Sequence, residues 1–389
     1  MSQINDLEKQ LQEVSPREKP TVLNKLAHLL RRNDPEKARA YAEQVITIVD
    51  PTRITEEEAL ARKTIGFTYY VQGNQSTALA WTQQAIQLLQ DGNFTAEIVG
   101  AISNLALIYV EIGDYPQALA IFMQALDKGE TIEDEAGIAI VNYNIGYLYR
   151  TMKEWDKAID YNQKAIVYWE GIDHEGLTYA YGGISEIYLQ LGDTENGQAY
   201  AEKNLRLSKS RGDLHSEAFS YKQLGESLRQ QGRLEEALAA FMKGAQIEEG
   251  SKANLGLVLH YLAIGNVYTQ MREFKNATAY MQKGLEVAMS LDELPEMMNC
   301  YEALTTLFET KKDYIQALAY YRKYTAIKDE LFNEKKHKQL SEMQTRFDTE
   351  RKEKEAEIYQ LKTVALEKEI SQRRQAEAEA LRQSEYFQA

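Results

Sequence analysis

Few side chains in this 389-residue chain have a type and spacing that could do chemistry. The five histidines, His28, His174, His215, His260 and His337, stand far apart, and none forms an HExxH or similar spacing that would set two metal ligands on one helix face. Cys300 is the only cysteine, so it has no internal disulfide partner, and a structural zinc site needs several Cys or His ligands. A packed thiol is expected. Tyr181-Gly182-Gly183 lacks the spacing and the Lys-Ser/Thr of a phosphate-cradling loop. His337 invites comparison with a phospho-acceptor histidine, but Lys338 follows it instead of an acidic residue, and no ATP-binding segment comes after. A solvated helix face is the better reading. Catalysis needs acids, bases or nucleophiles gathered in one pocket, so no enzyme activity, metal or cofactor is expected from residues 1–389.

Composition narrows the class further. There are 59 acidic and 45 basic side chains, for a net charge of −14. Binding to nucleic acid or an anionic membrane draws on clustered Lys and Arg, so neither partner is expected. The start, MSQINDLEKQLQEV, lacks a signal peptide's apolar run, and no stretch approaches 18 apolar residues. A cytoplasmic protein is the expectation. Only six prolines and 22 glycines punctuate the chain, which calls for long helices and short connections. Tyrosine is over-abundant, with 25 copies beside ten phenylalanines.

The elements that would position any site are repeated. A large-small-x-x-aromatic pattern recurs at Ile65-Gly66-Phe67-Thr68-Tyr69, Leu105-Ala106-Leu107-Ile108-Tyr109, Ile145-Gly146-Tyr147-Leu148-Tyr149, Ile184-Ser185-Glu186-Ile187-Tyr188 and Ile264-Gly265-Asn266-Val267-Tyr268, with a variant at Leu224-Gly225. With degenerate copies at Ala27 and Thr305, the small residue recurs every 39 or 40 positions. Seven residues later comes Gly73, Gly113, Gly192 or Gly232, replaced elsewhere by Lys153, Arg272 and Lys312, a helix end suited to a left-handed backbone. Twelve residues later comes Ala78, Ala118, Ala158, Gly197, Ala237, Ala277 or Ala317, as two closely crossing helices require. This array resembles tetratricopeptide repeats (TPRs), with a period near 40 in place of the common 34, like the long-helix variants in bacterial regulators. The resemblance implies an all-α, right-handed solenoid of helix-turn-helix units over residues 21–332, about eight repeats, behind a capping helix in 1–20. It also implies protein–protein interaction, and Tyr69, Tyr109, Tyr149, Tyr188 and Tyr268 become packing wedges.

In this family the first helix of each unit lines a concave face, so the resemblance assigns partner contacts to residues around the large-small pair. Near the copies at Gly66, Ala106 and Gly146 these are Lys63, Phe67, Asn104, Leu107, Tyr143, Asn144 and Tyr147, an aromatic and amide surface suited to an extended peptide. Further on they are Glu186, Lys222, Glu226 and Asn266, whose two glutamates would favour a basic residue. A protein or peptide partner of neutral or basic character is expected. Tyr143 and Tyr147 are expected to serve binding more than packing. The family's carboxylate clamp is broken: Lys63 and Asn104 match it, but Phe67, Ile140 and Asn144 replace the remaining positions.

After Pro295 the chain has neither glycine nor proline, and a helix from Asp313 to the end would be ~115 Å long. Residues 333–389 carry twelve basic and twelve acidic side chains, so the whole negative excess lies in 1–332. A thin apolar seam of Leu340, Met343, Phe347, Leu361 and Val364, interrupted by Lys354, predicts a coiled coil and a homodimer. The Lys328–Lys336 and Arg346–Glu355 stretches resemble connectors in bacterial signalling proteins whose output is a histidine kinase, diguanylate cyclase or nucleotide cyclase. Residues 373–389 resemble the helix leading into a PAS sensor domain. These likenesses imply a sensory or regulatory module that relays to an output domain beyond Ala389 or to a partner; a static scaffold without relay is the alternative.

Overall fold

In a computed structural model the chain is described over residues 2–50, 52–174, 176–250 and 255–333, together with 336, 340 and 351. Among these residues there are seventeen helices and no strand. Helix α1 (Ser2–Glu13) precedes eight hairpin pairs. These are α2 (Lys19–Leu30) with α3 (Pro35–Ile48), α4 (Glu56–Val71) with α5 (Gln75–Asp91), α6 (Ile98–Ile112) with α7 (Tyr115–Thr131), and α8 (Glu135–Thr151) with α9 (Trp155–Ile172). There follow α10 (Gly176–Gln190) with α11 (Thr194–Arg211), α12 (Leu214–Gln230) with α13 (Leu234–Glu249), α14 (Leu255–Gln270) with α15 (Phe274–Ser290), and α16 (Leu294–Thr310) with α17 (314–333). The all-α repeat architecture is as expected. Residues 1–332 form one unit and 333–389 a second.

The turn inside seven of the eight pairs, all but α2–α3, has one cause. Seven residues beyond the small position, Gly73, Gly113, Lys153, Gly192, Gly232, Arg272 and Lys312 all have φ between 60° and 88°. The left-handed backbone is thus kept where the side chain makes it unfavourable. The next residue often caps the second helix: the side chains of Asn74, Asp114 and Asp193 accept from the N–H groups of Thr77, Gln117 and Asn196. A second left-handed position recurs between units, at Asn93, Glu133, Asp173, Gly212 and Asp292. Its residue types vary too much to have marked it in the sequence. At the other end, Pro20 does not interrupt a helix; it sits in the first turn of α2, where its missing N–H costs nothing.

Small residues set the crossings. A Cβ on Gly66, Gly146 or Gly265 would lie 3.2–3.3 Å from the carbonyl oxygen of Ala78, Ala158 or Ala277 on the paired helix. Ala78, Ala118, Ala158, Ala237 and Ala277 have no exposed surface, which lets the two backbones approach. The tyrosines fill the space alongside. Tyr149 stacks on Tyr161, Tyr188 on Tyr200 and Tyr268 on Tyr280, with ring centroids 5.5–5.8 Å apart. A further periodic set, Tyr181, Tyr221, Tyr261 and Tyr301, is buried at 40-residue steps. Their phenols are partly accounted for: Tyr261 donates to Glu249 at 2.8 Å, Tyr181 donates to Glu170, and Lys209 donates to Tyr221 at 2.8 Å.

The first helices pack on one another from unit to unit as well as on their partners, α2 against α4, α4 against α6, α6 against α8, and α10, α12, α14 and α16 in succession. They therefore line the inner face. Leu340 is helical and exposed, whereas Met343, Phe347, Leu361 and Val364 lie outside the described residues.

Candidate functional site

One open run of the inner face crosses α10, α12, α14 and α16. A cleft of about 570 Å³ lies between α12, α14 and α16, walled by Leu259, Leu262 and Ala263 and edged by Asn266, Thr306 and Thr310. A smaller one of about 160 Å³ lies between α10 and α12, beside Phe219 and Gln223. Both are lined by Lys222 and Glu226, so these side chains form a shared ridge between the two hollows.

Electrostatics at the ridge differ from the sequence expectation. Glu186 is paired with Arg150 at 2.6 Å, and Glu226 is held in a fork by Arg229 at 2.6 and 2.9 Å. With both carboxylates neutralised, the reason to expect a basic ligand residue here disappears. Lys222 has neither a hydrogen bond nor an ion pair within 4 Å among the described residues; it lies over the Phe219 ring, 4.9 Å from its centroid. Burial lowers its pKa, and the nearby Glu186 and Glu226 only partly oppose this. Gln223 donates to the Gly182 carbonyl at 2.6 Å, and its own side-chain oxygen is buried without a partner.

The remaining expected contacts divide. Phe67 and Leu107 are 6% and 8% exposed and belong to the packing: Phe67 lies under the Arg31 and Arg32 guanidinium groups, and Leu107 joins the core of α6 to α8. A one-residue offset from the small position turns them inward in these units but leaves Asn266 exposed in the equivalent place. Tyr143 packs against Trp169 at 5.6 Å, and burial raises its phenol pKa. Tyr147 donates to Glu111 at 3.1 Å, and Asn144 spends its amide on Ser103 at 2.8 Å. Asn104 is half-buried, and Lys63 pairs with Glu97 some distance away along the inner face. The structure thus gathers Glu186, Lys222, Glu226 and Asn266 and leaves the aromatic set mostly in packing roles. Leu259, Leu262 and Thr306, which complete the wall, were hidden in the sequence because one residue's shift around a helix decides whether it lines a cleft.

The groups considered for chemistry do not converge. His174 accepts from the Gly176 N–H at 3.0 Å and stacks on Trp169; His215 is exposed, 3.9 Å from Glu248. His260 is buried, and His337 lies outside the described residues. Burial pushes the Cys300 thiol up to about 12, which keeps it protonated and unreactive. Among the described residues no group of three or more His, Cys, Asp or Glu could hold a metal, and no helix is long and apolar enough to cross a membrane.

Comparison with known proteins agrees with this architecture. The MalT-like TPR region model matches residues 26–211, and two tetratricopeptide repeat models match 176–247 and 261–288. Among solved structures, the tetratricopeptide-sensor STAND (signal transduction ATPase with numerous domains) protein of Pyrococcus horikoshii superposes with a TM-score of 0.64 at 16% identity. The match covers 85% of this chain and 53% of that one, so this chain spans about half of that protein. The apo form of the quorum sensor NprR from B. thuringiensis gives 0.63 at 16% identity, covering 83% of this chain and 91% of that one. A Rap protein complexed with Competence and Sporulation Factor gives 0.54 at 13%, covering 81% and 99%. At these identities the likeness is one of fold. With its repeat models together spanning well over half of its length, this chain belongs to the tetratricopeptide-repeat proteins.

Proposed function

We propose that the chain is a sensory interaction module whose inner groove over α10, α12, α14 and α16 binds a peptide or a protein segment. The observation that carries this is the pair of clefts sharing Lys222 and Glu226, which makes one run of apolar wall and polar edge across four helices. An extended segment suits it, with apolar side chains against Leu259 and Leu262 and hydrogen bonds to Asn266 and Thr306. Since Lys222 alone lacks a counter-charge, a ligand with a carboxylate matches the ridge better than the basic residue anticipated from the sequence. A sensing role accords with the names of the compared STAND, quorum-sensor and Rap proteins. Selection of a displayed random-peptide library on the full chain tests this. Binders that are lost on Ala263→Trp, which fills the larger cleft, while the melting temperature holds, support the groove. Failure to select any peptide, or binding indifferent to that substitution, overturns it.

The relay is a finer reading of the same module, in which residues 333–389 dimerise through Leu340, Met343, Phe347, Leu361 and Val364 and pass the groove's state to an output. Light scattering of the full chain beside one ending at Phe332 tests the dimer. Two monomers would end that part of the proposal and leave the groove untouched.

A further inference from the structure

The solenoid's two ends are finished differently. At the start, α1 packs on α2, Leu11 joins the core beneath it, and Glu8 ties α1 to α3 through Lys37 at 2.7 Å and Tyr41 at 3.0 Å. At the other end, α17 has no following helix within residues 1–332. Every earlier second helix packs against the first helix of the next unit. A Cβ on Gly129 of α7 would meet Ile138 of α8, and one on Gly244 of α13 would meet His260 of α14. The end unit of a solenoid needs a polar outer face, and α17 does not present one. Tyr314, Ile315, Leu318, Tyr321 and Phe332 are 51–83% exposed. At the positions of Tyr314 and Leu318, earlier units hold Tyr115 and Leu119, Trp155 and Ile159, and Leu234 and Leu238, all half-buried against the core.

This face matches itself. Helical spacing sets Leu318, Arg322, Thr325, Asp329 and Phe332 along one side of α17. Counted from Thr325, Leu318 lies seven residues before and Phe332 seven after, while Arg322 lies three before and Asp329 four after. When a second α17 crosses antiparallel with the two-fold axis at Thr325, each Phe332 falls on the other copy's Leu318, and each Arg322 faces the other copy's Asp329. The small Thr325 and Ala326 at the crossing let the two helices approach. Parallel pairing would instead set Arg322 against Arg322 and Asp329 against Asp329. The overall charge does not oppose the contact, because α17 carries Arg322, Lys323 and Lys328 against Asp329 and Glu330, close to neutral within a chain of −14. Head-to-tail stacking has no open start to use, since α1 covers it, and closed two-fold pairing is what remains.

We propose that the outer face of α17 is an interface for a second copy of this chain, and that two solenoids join end to end through antiparallel α17 helices. The interface uses no residue of the groove and none beyond Phe332, so it stands apart from both the peptide site and the tail contact of the relay.

Sedimentation equilibrium of the natural full chain tests it first, and a concentration-dependent dimer is expected. Leu318→Glu should weaken that dimer by about tenfold or more and leave the thermal melt unchanged, because Leu318 is exposed in the single chain. Val167→Glu, at an exposed apolar position on α9, should not affect it. Disulfide trapping reads the orientation. Full chains bearing Leu318→Cys and Phe332→Cys, made separately, mixed and oxidised, should link position 318 of one copy to position 332 of the other, as identified by mass spectrometry of the joined peptides. Cys300 is buried and does not compete. A natural chain that stays monomeric, a dimer indifferent to Leu318→Glu, or links of 318 to 318 and 332 to 332, as a parallel pair driven by the tail would give, overturns the proposal.

Discussion

Arg150 on α8 holds Glu186 on α10 at 2.6 Å, an ion pair that links the first helices of two successive units. The same guanidinium lies over the Tyr147 ring at 5.5 Å. Both partners are part-exposed, so the pair's gain is screened and small. Arg150→Met is expected to cost less than about 1 kcal/mol in urea unfolding, with the difference shrinking in high salt. A larger, salt-insensitive loss would mean that the contact is mainly packing. The same substitution frees Glu186, so peptides selected on the variant should carry more basic residues than those selected on the natural chain.

His260 makes stability depend on pH. It is 2% exposed, and burial pushes its imidazole down to about 4, with Lys222 adding to the effect and a bond to the Ala218 carbonyl opposing it. The unfolded chain takes up its proton near pH 6.5 and the folded chain only near 4, so stability is complete above about 6.5 and falls as the pH drops between those values. The full loss is on the order of 3 kcal/mol. Urea midpoints measured from pH 7.5 to 4.5 should decline less steeply in His260→Gln; an unchanged slope would show that His260 is not the group responsible.

Lys153, Arg272 and Lys312 hold φ values of 60–65° where other units carry glycine. Replacing each with glycine should remove local strain and stabilise the solenoid by about 0.5–1 kcal/mol per site. The three effects should add, because the sites lie in separate units. Thermal melts of the single and triple variants check this, and destabilisation would mean that chain entropy outweighs the strain.

Tyr143 was expected to serve binding, but its ring rests on Trp169 at 5.6 Å. Tyr143→Ala should therefore cost about 2 kcal/mol, whereas Tyr147→Ala, which gives up an exposed bond to Glu111, should cost under about 1 kcal/mol. Equal losses in a chemical melt would contradict this division of roles.

The sequence alone determined the repeat, its period and the helix ends. Each rests on a local requirement: a small residue where backbones cross, as at Gly146 beside Ala158, and a left-handed residue at Gly113 or Gly192. Such constraints act within one unit, so they leave a mark at a fixed spacing. Only the tertiary structure decided which inner-face residues are available. Phe67 and Asn266 share a repeat position, yet one is closed under Arg31 and Arg32 in the turn after α2 while the other edges a cleft. Charge followed the same rule. Glu186 reads as a free carboxylate in the sequence but is paired with Arg150 of the preceding unit, while Glu226 is paired with Arg229 three residues along its own helix, leaving Lys222 as the unpaired group. Contacts across units depend on the side chains that adjacent helices happen to present, and no periodicity in a single sequence records them.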